Sequence, residues 1–413
     1  MGDVLPTAEQ VALARGLISR RSALTGLAGA SAVALLGACG SPGKSPDGGG
    51  AGTATSSGAA PSAKAAPDLS DTEKVVNWSN WQQYIDVDQK TSARPTLDAF
   101  TTATGIKVTY TEDYNDNDEF YAKVRPLLEA GSDTGRDIWV STDWMVARLI
   151  RLGYVQKLDL ANIPNAGNVE DSLRNVQFDP GRAYSLPWQS GFAGIAWNPT
   201  ATGGKKVETV DQLLTDPALK GKVTLLTEMR DTVGLVMMAM GKKLDSFVTA
   251  DFDAAVAELR KAKDAGQIKG FTGNDYTKPL AAGETAACIA WTGDVVQLRA
   301  DNPDLGYALP QTGCTLWSDN FVIPAMAQHK KNAERLVNYY YDPKVVAKVV
   351  DFVTYISVVK GTKDVLAVDD PPVAANELVF PTAATLSRAQ VFRGLSAAEE
   401  TDYNRKFQAL VNG

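Results

Sequence analysis

Lys74-Val-Val-Asn-Trp78, Pro95 to Thr102, Ile106-Lys-Val-Thr-Tyr110, Glu119 to Ala130, Asp137-Ile-Trp-Val-Ser-Thr142 and Trp144 to Leu152 follow one another with alternating character. The first, third and fifth segments are short and apolar or alternating, the pattern of strands. The others carry their apolar residues at helical spacing, with Leu97 and Phe100 turned inward in the first. Gly105 and Gly153 stand where two of the helices stop. Pro126 makes the N-terminal half of the second helix less secure. Strand, helix, strand, helix, strand is the order of a wound α/β layer.

Downstream the pattern repeats. Ala183-Tyr-Ser-Leu-Pro-Trp-Gln-Ser-Gly191 runs into Phe192-Ala-Gly-Ile-Ala-Trp197, an extended stretch that reads as a crossover to a second unit. That unit holds a strand at Lys222-Val-Thr-Leu-Leu-Thr227, helices at Val233 to Met240 and Asp253 to Ala265, and a buried strand at Ala286-Ala-Cys-Ile-Ala-Trp291. The chain returns through Gly313-Cys-Thr-Leu-Trp-Ser-Asp-Asn-Phe-Val-Ile-Pro324 to a helix at Asn332 to Tyr341, and residues 382–411 read as mostly helical.

The N-terminus carries addressing signals. Ser19-Arg-Arg-Ser-Ala-Leu24 is a twin-arginine pattern, and the apolar run Ala23 to Ala38 ends in Leu36-Gly-Ala-Cys39. Residues 1–38 read as a signal peptide, with Cys39 as the lipidated first residue of a mature lipoprotein. Residues 39–73, rich in Gly, Ser, Ala and Pro, read as the lipid anchor and a flexible tether. The expected location is extracytoplasmic, lipid-anchored to the outer face of the cytoplasmic membrane.

The chain holds 41 basic and 48 acidic residues, of which residues 1–38 take three arginines and two acids, so the mature protein is more acidic still. Such a surface disfavours nucleic acid and is compatible with cationic ligands. His329 is the only histidine, which excludes a histidine-based metal site and Ser/His/Asp or Cys/His catalysis elsewhere. Asp113-Tyr-Asn-Asp-Asn-Asp-Glu119 lacks the glycine and the final glutamate of a calcium loop and reads as a strand-to-helix loop. Cys288 and Cys314 sit in apolar strand-like segments and read as two buried thiols.

Polar loops after the strands carry aromatics or acids: Trp81 and Tyr84, Asp143 and Trp144, Trp188 with Gln189, Glu228 and Asp231, Trp291 and Asp294, Trp317 and Asp319. Trp317 and Asp319 are two apart on a strand and so share a face. An indole beside a carboxylate suits an organic cation. For each pair alone, a core tryptophan beside a turn-capping aspartate is the competing account. Ligands of open α/β sheets bind beyond the carboxyl ends of strands, so the recurrence points to one cleft.

Several stretches resemble the extracellular polyamine-binding subunits of ABC importers, the spermidine/putrescine-binding family. They are Asn80-Trp-Gln-Gln-Tyr84, Val140-Ser-Thr142 with Gly153-Tyr-Val-Gln-Lys-Leu-Asp159, Tyr184-Ser-Leu-Pro187, Ala290-Trp291 with Gly293, and Leu316-Trp-Ser-Asp319 before Ile323-Pro324. The resemblance implies a two-domain periplasmic-binding-protein-like α/β fold of type II with the ligand cleft between the domains. Domain 1 would comprise 74–191 and 317–362, and domain 2 192–316 and 363–413. It implies a polyamine ligand, an ABC permease as partner, a monomer, no cofactor and no catalysis. It places Trp81, Trp291, Trp317, Asp319, Tyr355, Asp231 or Glu228, and Gln390 at ligand contacts. Gln83 stands where spermidine-binding relatives carry an acid, whereas Asp143 and Asp294 are acids where relatives are neutral. Rival expectations are a binding protein for another small solute, cationic or amino-acid-like, and a lipid-anchored hydrolase.

Overall fold

The computed structural model describes residues 65–413. The twin-arginine segment, Cys39 and the first part of the expected tether lie outside the described residues.

In chain order the strands are β1 (Val75–Trp81), β2 (Lys107–Tyr114), β3 (Ile138–Thr142), β4 (Ser185–Trp197), β5 (Val223–Leu226), β6 (Ile268–Thr272), β7 (Ala287–Trp291), β8 (Gly306–Ala308), β9 (Cys314–Val322), β10 (Ile356–Ser357) and β11 (Ala389–Gln390). The helices are α1 (Pro95–Thr104), α2 (Asn117–Glu129), α3 (Asp143–Leu152), α4 (Val210–Thr215), α5 (Met229–Ala239), α6 (Thr249–Asp264), α7 (Thr277–Ala282), α8 (Thr292–Leu298), α9 (Lys330–Tyr340), α10 (Pro343–Val353), α11 (Thr362–Asp369), α12 (Pro371–Ala374), α13 (Ala383–Leu386) and α14 (Ala397–Asn412). Short 3₁₀ turns fill several connections.

The strands form one sheet in the order β2-β1-β3-β9-β4-β7-β5-β6, with β8 and β10 paired to β4 and β11 to β9. Two parallel groups stand at its ends: β1 pairs with β2 and β3, and β5 pairs with β6 and β7. Between them β9 and β4 run antiparallel to each other and to their outer neighbours. The two α/β units read from the sequence are therefore two lobes, one around β1–β3 and one around β5–β7, bridged by β4 and β9. All 13 residues of β4 are buried, as a strand covered on both faces must be.

Local sequence sets the elements that frame the lobes. Pro95 opens α1 and Gly105, with φ of 70°, closes it. Asp116 N-caps α2 by accepting from the amides of Asp118 and Glu119. The loop expected from Asp113 is thus divided between the end of β2 and this cap. Pro126 lies inside α2, which nevertheless continues through it to Glu129. The lobe-1 core packs Trp188 against Trp78 (ring centroids 5.9 Å), Phe321 (4.9 Å) and Tyr340 (5.1 Å).

Two expectations are corrected. Residues 66–73 are not free tether. Leu69 N donates to Gln328 O (2.7 Å), Asn332 N donates to Ser70 Oγ (3.1 Å), and Glu73 meets His329 Nε2 (3.0 Å), whose Nδ1 lies 2.9 Å from Asp137. This short segment is laid against residues 325–332 because α9 offers it an unpaired amino terminus. The boundary expected at 363 is also displaced: α11 packs on α10 and α12 on α11, so the chain stays with the elements before it through residue 374. The region after 382 is mostly helical, as its sequence reads, with α13 and α14 separated by β11 and the loop to Ser396.

Cys288 in β7 and Cys314 in β9 are buried free thiols, and burial raises both pKa values, that of Cys314 to about 12. The native protein should leave both unmodified by a thiol reagent, and unfolding without reductant should expose both. Peptide mass mapping after alkylation checks this; a Cys288–Cys314 disulfide peptide would contradict it.

Candidate functional site

A cavity of about 940 Å³ opens between the two lobes, beside the bridging strands. Its inner wall comes from β9. Asp319 sits opposite Thr142 of β3 on one side and Gln189 of β4 on the other, so the register fixes its place at the centre of the sheet. Trp317 lies two residues away on the same face, and both line the cavity.

Asp319 is 4% exposed. Tyr84 OH donates to its Oδ2 (2.8 Å) and Thr142 Oγ1 to its Oδ1 (2.7 Å). Burial pushes its pKa up to about 7 despite these two donors. Asp294, in the first turn of α8, accepts from Asn274 Nδ2 and Tyr276 OH on one oxygen and from Tyr355 OH on the other, at 2.7–2.8 Å. Its pKa is pushed up to about 6, again by burial. Asp231 in α5 accepts from Trp291 Nε1 (2.7 Å) and Thr315 Oγ1 (2.5 Å), and burial raises it as well. Among the described residues no ion pair reaches Asp231, Asp294 or Asp319. Three carboxylates are thus held in place by neutral donors, in a setting that penalises their charge.

Two further acids line the cavity. Glu228 caps α5 through Arg230 N (3.2 Å) and accepts from Trp144 Nε1 (3.1 Å); burial lifts it to about 8 even with the Arg230 guanidinium 3.8 Å away. Asp143 accepts from Asn320 Nδ2 (2.7 Å) and is raised to about 6 by burial.

Aromatic rings connect these acids. Trp81 meets Trp291 (6.3 Å), Trp291 meets Trp317 (6.4 Å), Trp317 meets Tyr355 (5.4 Å) and Tyr355 meets Tyr84 (5.4 Å), each close to edge-on. Such a series turns ring faces in several directions around one space. It closes up because Gly191, opposite Trp317 on β4, and Gly293 have no side chains: a Cβ would stand 2.6 Å from the indole at the first and 2.3 Å from the Tyr355 ring at the second.

The cavity brings together Trp81, Tyr84, Asp143, Trp144, Glu228, Asp231, Trp291, Asp294, Trp317, Asp319 and Tyr355. It does not include three others. Trp188 is 1% exposed and belongs to the lobe-1 core, turned there beside the β-bulge between Pro187 and Gln189. Gln83 adopts φ of 54° and its amide donates to Glu112 Oε1, while its neighbour Gln82 reaches the cavity. Gln390 spends its carbonyl on the amide of Leu244 (2.8 Å), fixing the loop that follows β11. Sequence reasoning missed Thr142, Thr315, Asn274 and Tyr276 as donors to the three acids. Thr142 and Thr315 stand at strand ends that were already singled out, whereas Tyr276 reaches Asp294 from a turn with no pattern of its own.

A second, more open concavity of about 1,000 Å³ lies between α2, β6 and α14. Its Glu119 and Glu129 are paired with Lys123 and Arg125, and Asp118 with Arg148.

The profile of the bacterial extracellular solute-binding protein family matches residues 96–381. The chain is 26% identical over 343 residues to a spermidine/putrescine-binding periplasmic protein of Escherichia coli K12, covering 83% of this chain and 93% of that one. It is 28% identical over 341 residues to the putrescine-binding periplasmic protein PotF of the same strain, covering 78% and 87%. Among solved structures, a putative spermidine/putrescine ABC transporter protein from Listeria monocytogenes superposes with a TM-score of 0.71 at 25% identity, over 82% of this chain and 99% of that one. With a matching profile over most of its length, two α/β lobes and a cavity between them, the chain belongs to the bacterial extracellular solute-binding proteins.

Proposed function

We propose that the protein captures a linear polyamine of the putrescine–spermidine class in the interlobe cavity and hands it to an ABC permease. The observation that carries this reading is the set of three buried carboxylates, Asp231, Asp294 and Asp319, oriented by neutral donors and lined by indole and phenol rings. An alkyl chain ending in ammonium groups supplies what that arrangement lacks. Its charges meet the carboxylates, and its methylenes lie against the rings, each cation–π contact contributing roughly 0.5–2 kcal/mol. Asp319 belongs to a bridging strand and Asp231 to the second lobe, so one ligand touching both favours the closed arrangement. The names of the relatives point to the same class of ligand.

The same reading gives the protein no catalytic role and makes it monomeric, anchored through lipid on Cys39 outside the cytoplasmic membrane. Among the described residues no helix is long and apolar enough to cross a membrane. Cys39→Ala should therefore move the protein from the membrane fraction to the medium, read by blotting both fractions; a variant that still pellets with membranes would contradict the anchor.

Putrescine or spermidine should raise the melting temperature, because a ligand at about 1,000 times its Kd adds ~4 kcal/mol to the native state. The size of this shift should depend on pH. The folded-state pKa values of Asp143, Asp294, Asp319 and Glu228 are raised to about 6–8, above their ordinary values of 3.8 and 4.5. A raised carboxyl pKa contributes stability below the unfolded value and loses it as pH rises through the folded one. The ligand-free protein should thus lose stability between about pH 4 and pH 8, while amine affinity rises as the carboxylates ionise. Calorimetric titration at pH 5, 6.5 and 8 checks this; affinity that falls with rising pH would count against carboxylate–ammonium binding.

Asp319→Asn keeps the shape and removes the charge. A hydrogen bond to a charged group is worth roughly 1.5–3 kcal/mol, so amine affinity should drop about ten- to a hundred-fold. Trp317→Phe should cost less. The ligand-free Asp319→Asn protein should melt no lower than wild type, since a desolvation penalty is removed. A lower melting temperature with unchanged affinity would make Asp319 a structural residue.

A further inference from the structure

Glu400 lies in the first turn of α14 and is 7% exposed. Three arginines converge on it. Arg148 donates through Nε (3.2 Å) with Nη2 at 3.1 Å, Arg151 donates through Nη2 (2.6 Å), and Arg230 Nη2 stands 3.6 Å away. These partners come from different lobes. Arg148 and Arg151 are on α3, which packs against β3 and β9. Glu400 is on α14, which is bound to the second lobe: Tyr403 stacks on Phe252 (4.0 Å), Lys406 pairs with Asp253 (2.5 Å), and Lys263 Nζ reaches Leu410 O (2.6 Å). The Arg148 and Arg151 pairs therefore cross the mouth of the cleft.

They are part of a row. Asn274 N donates to Asn115 O (3.3 Å), Thr227 Oγ1 to Asp116 Oδ2 (2.7 Å), and Trp144 Nε1 to Glu228 Oε2 (3.1 Å), each joining the first lobe to the second. Arg230 lies 3.9 Å over the Trp144 ring. Within the row Glu400 is the one residue that draws cations from both lobes. Without its charge, Arg148 and Arg151 would be brought against Arg230 with only Asp118 and Glu228 to offset them. When the lobes part, the same groups meet water, where an ion pair is worth little. The pair energy accrues in the closed form alone.

We infer that Glu400, at the edge of the cavity lining with both carboxylate oxygens engaged by arginines, is a positioning residue for capture: by clamping Arg148 and Arg151 across the cleft mouth, it sets the closed population and hence how long the solute is held. The inference rests on the reading of the cavity as a closing solute site, and it assigns the C-terminal helix a part in affinity.

The test uses the whole mature protein carrying Glu400→Gln, with Arg151→Gln and the double variant. Glu400→Gln should weaken putrescine and spermidine by the same factor, about tenfold or more, through faster dissociation. The double variant should weaken binding less than the two single losses combined. Glu399→Gln, which keeps the capping oxygen but removes the charge paired with Arg393 in the same lobe, should lower the ligand-free melting temperature slightly and leave affinity unchanged. Unchanged affinity in Glu400→Gln, or a loss matched by an equal fall in ligand-free stability, overturns the inference. A second readout needs no ligand: the interlobe distance distribution between spin labels on α2 and α6 of ligand-free protein. Glu400→Gln should shift it toward open forms, and an unaltered distribution overturns the inference even if no amine binds wild type. If wild type binds no amine yet the distribution shifts, the latch stands and the choice of solute is what fails.

Discussion

The site depends on holding carboxyl groups where water is scarce and no cation meets them. Asp231, Asp294 and Asp319 are each buried, and each is held by two or three neutral donors rather than by a cation. Neutral donors orient a carboxylate without neutralising it, so the field of the group remains available to whatever enters. A lysine or arginine at hydrogen-bonding distance would have relieved the burial cost and removed the attraction together. The arginines that do approach the cavity are at its mouth, where they serve contacts between the lobes.

The bridging strands explain how acids from distant parts of the sequence come to share one space. β9 carries Trp317 and Asp319, and both its neighbours in the sheet contribute: Thr142 from β3 fixes the carboxylate, and Gly191 from β4 leaves room for the indole. Helices α5 and α8 then bring Asp231 and Asp294 in on their first turns from the other lobe. Register supplies one side of the site and helix starts supply the other.

This division accounts for what was legible in the sequence. The alternation of strands and helices and the same-face relation of Trp317 and Asp319 follow from periods of 3.6 and 2, which a sequence displays directly. Acids at helix starts also announce themselves, and so Asp143, Asp231 and Asp294 could be picked out. Trp188 could not be told from Trp317 by such means. Both sit on bridging strands beside polar residues, and a single bulge next to Trp188 accompanies its turn into the core. Tyr355 was named through the resemblance, but its bond to Asp294, like that of Tyr276, was hidden, because tertiary packing alone closes the gaps of 61 and 18 residues. Glu400 was hidden for the same reason: 249 residues separate it from Arg151.

The segment at residues 66–73 has a mechanical meaning. It is laid along residues 325–332 and pinned where Glu73 meets His329 and His329 meets Asp137, on the lobe of β1 and β3. Tension arriving from the N-terminal side would load these bonds in shear, in series with the first lobe, and would end there. The second lobe and the cleft mouth lie outside that load path. A protein held by its N-terminus can therefore be tugged, swung or pressed toward a surface while its two lobes open and close as if unattached.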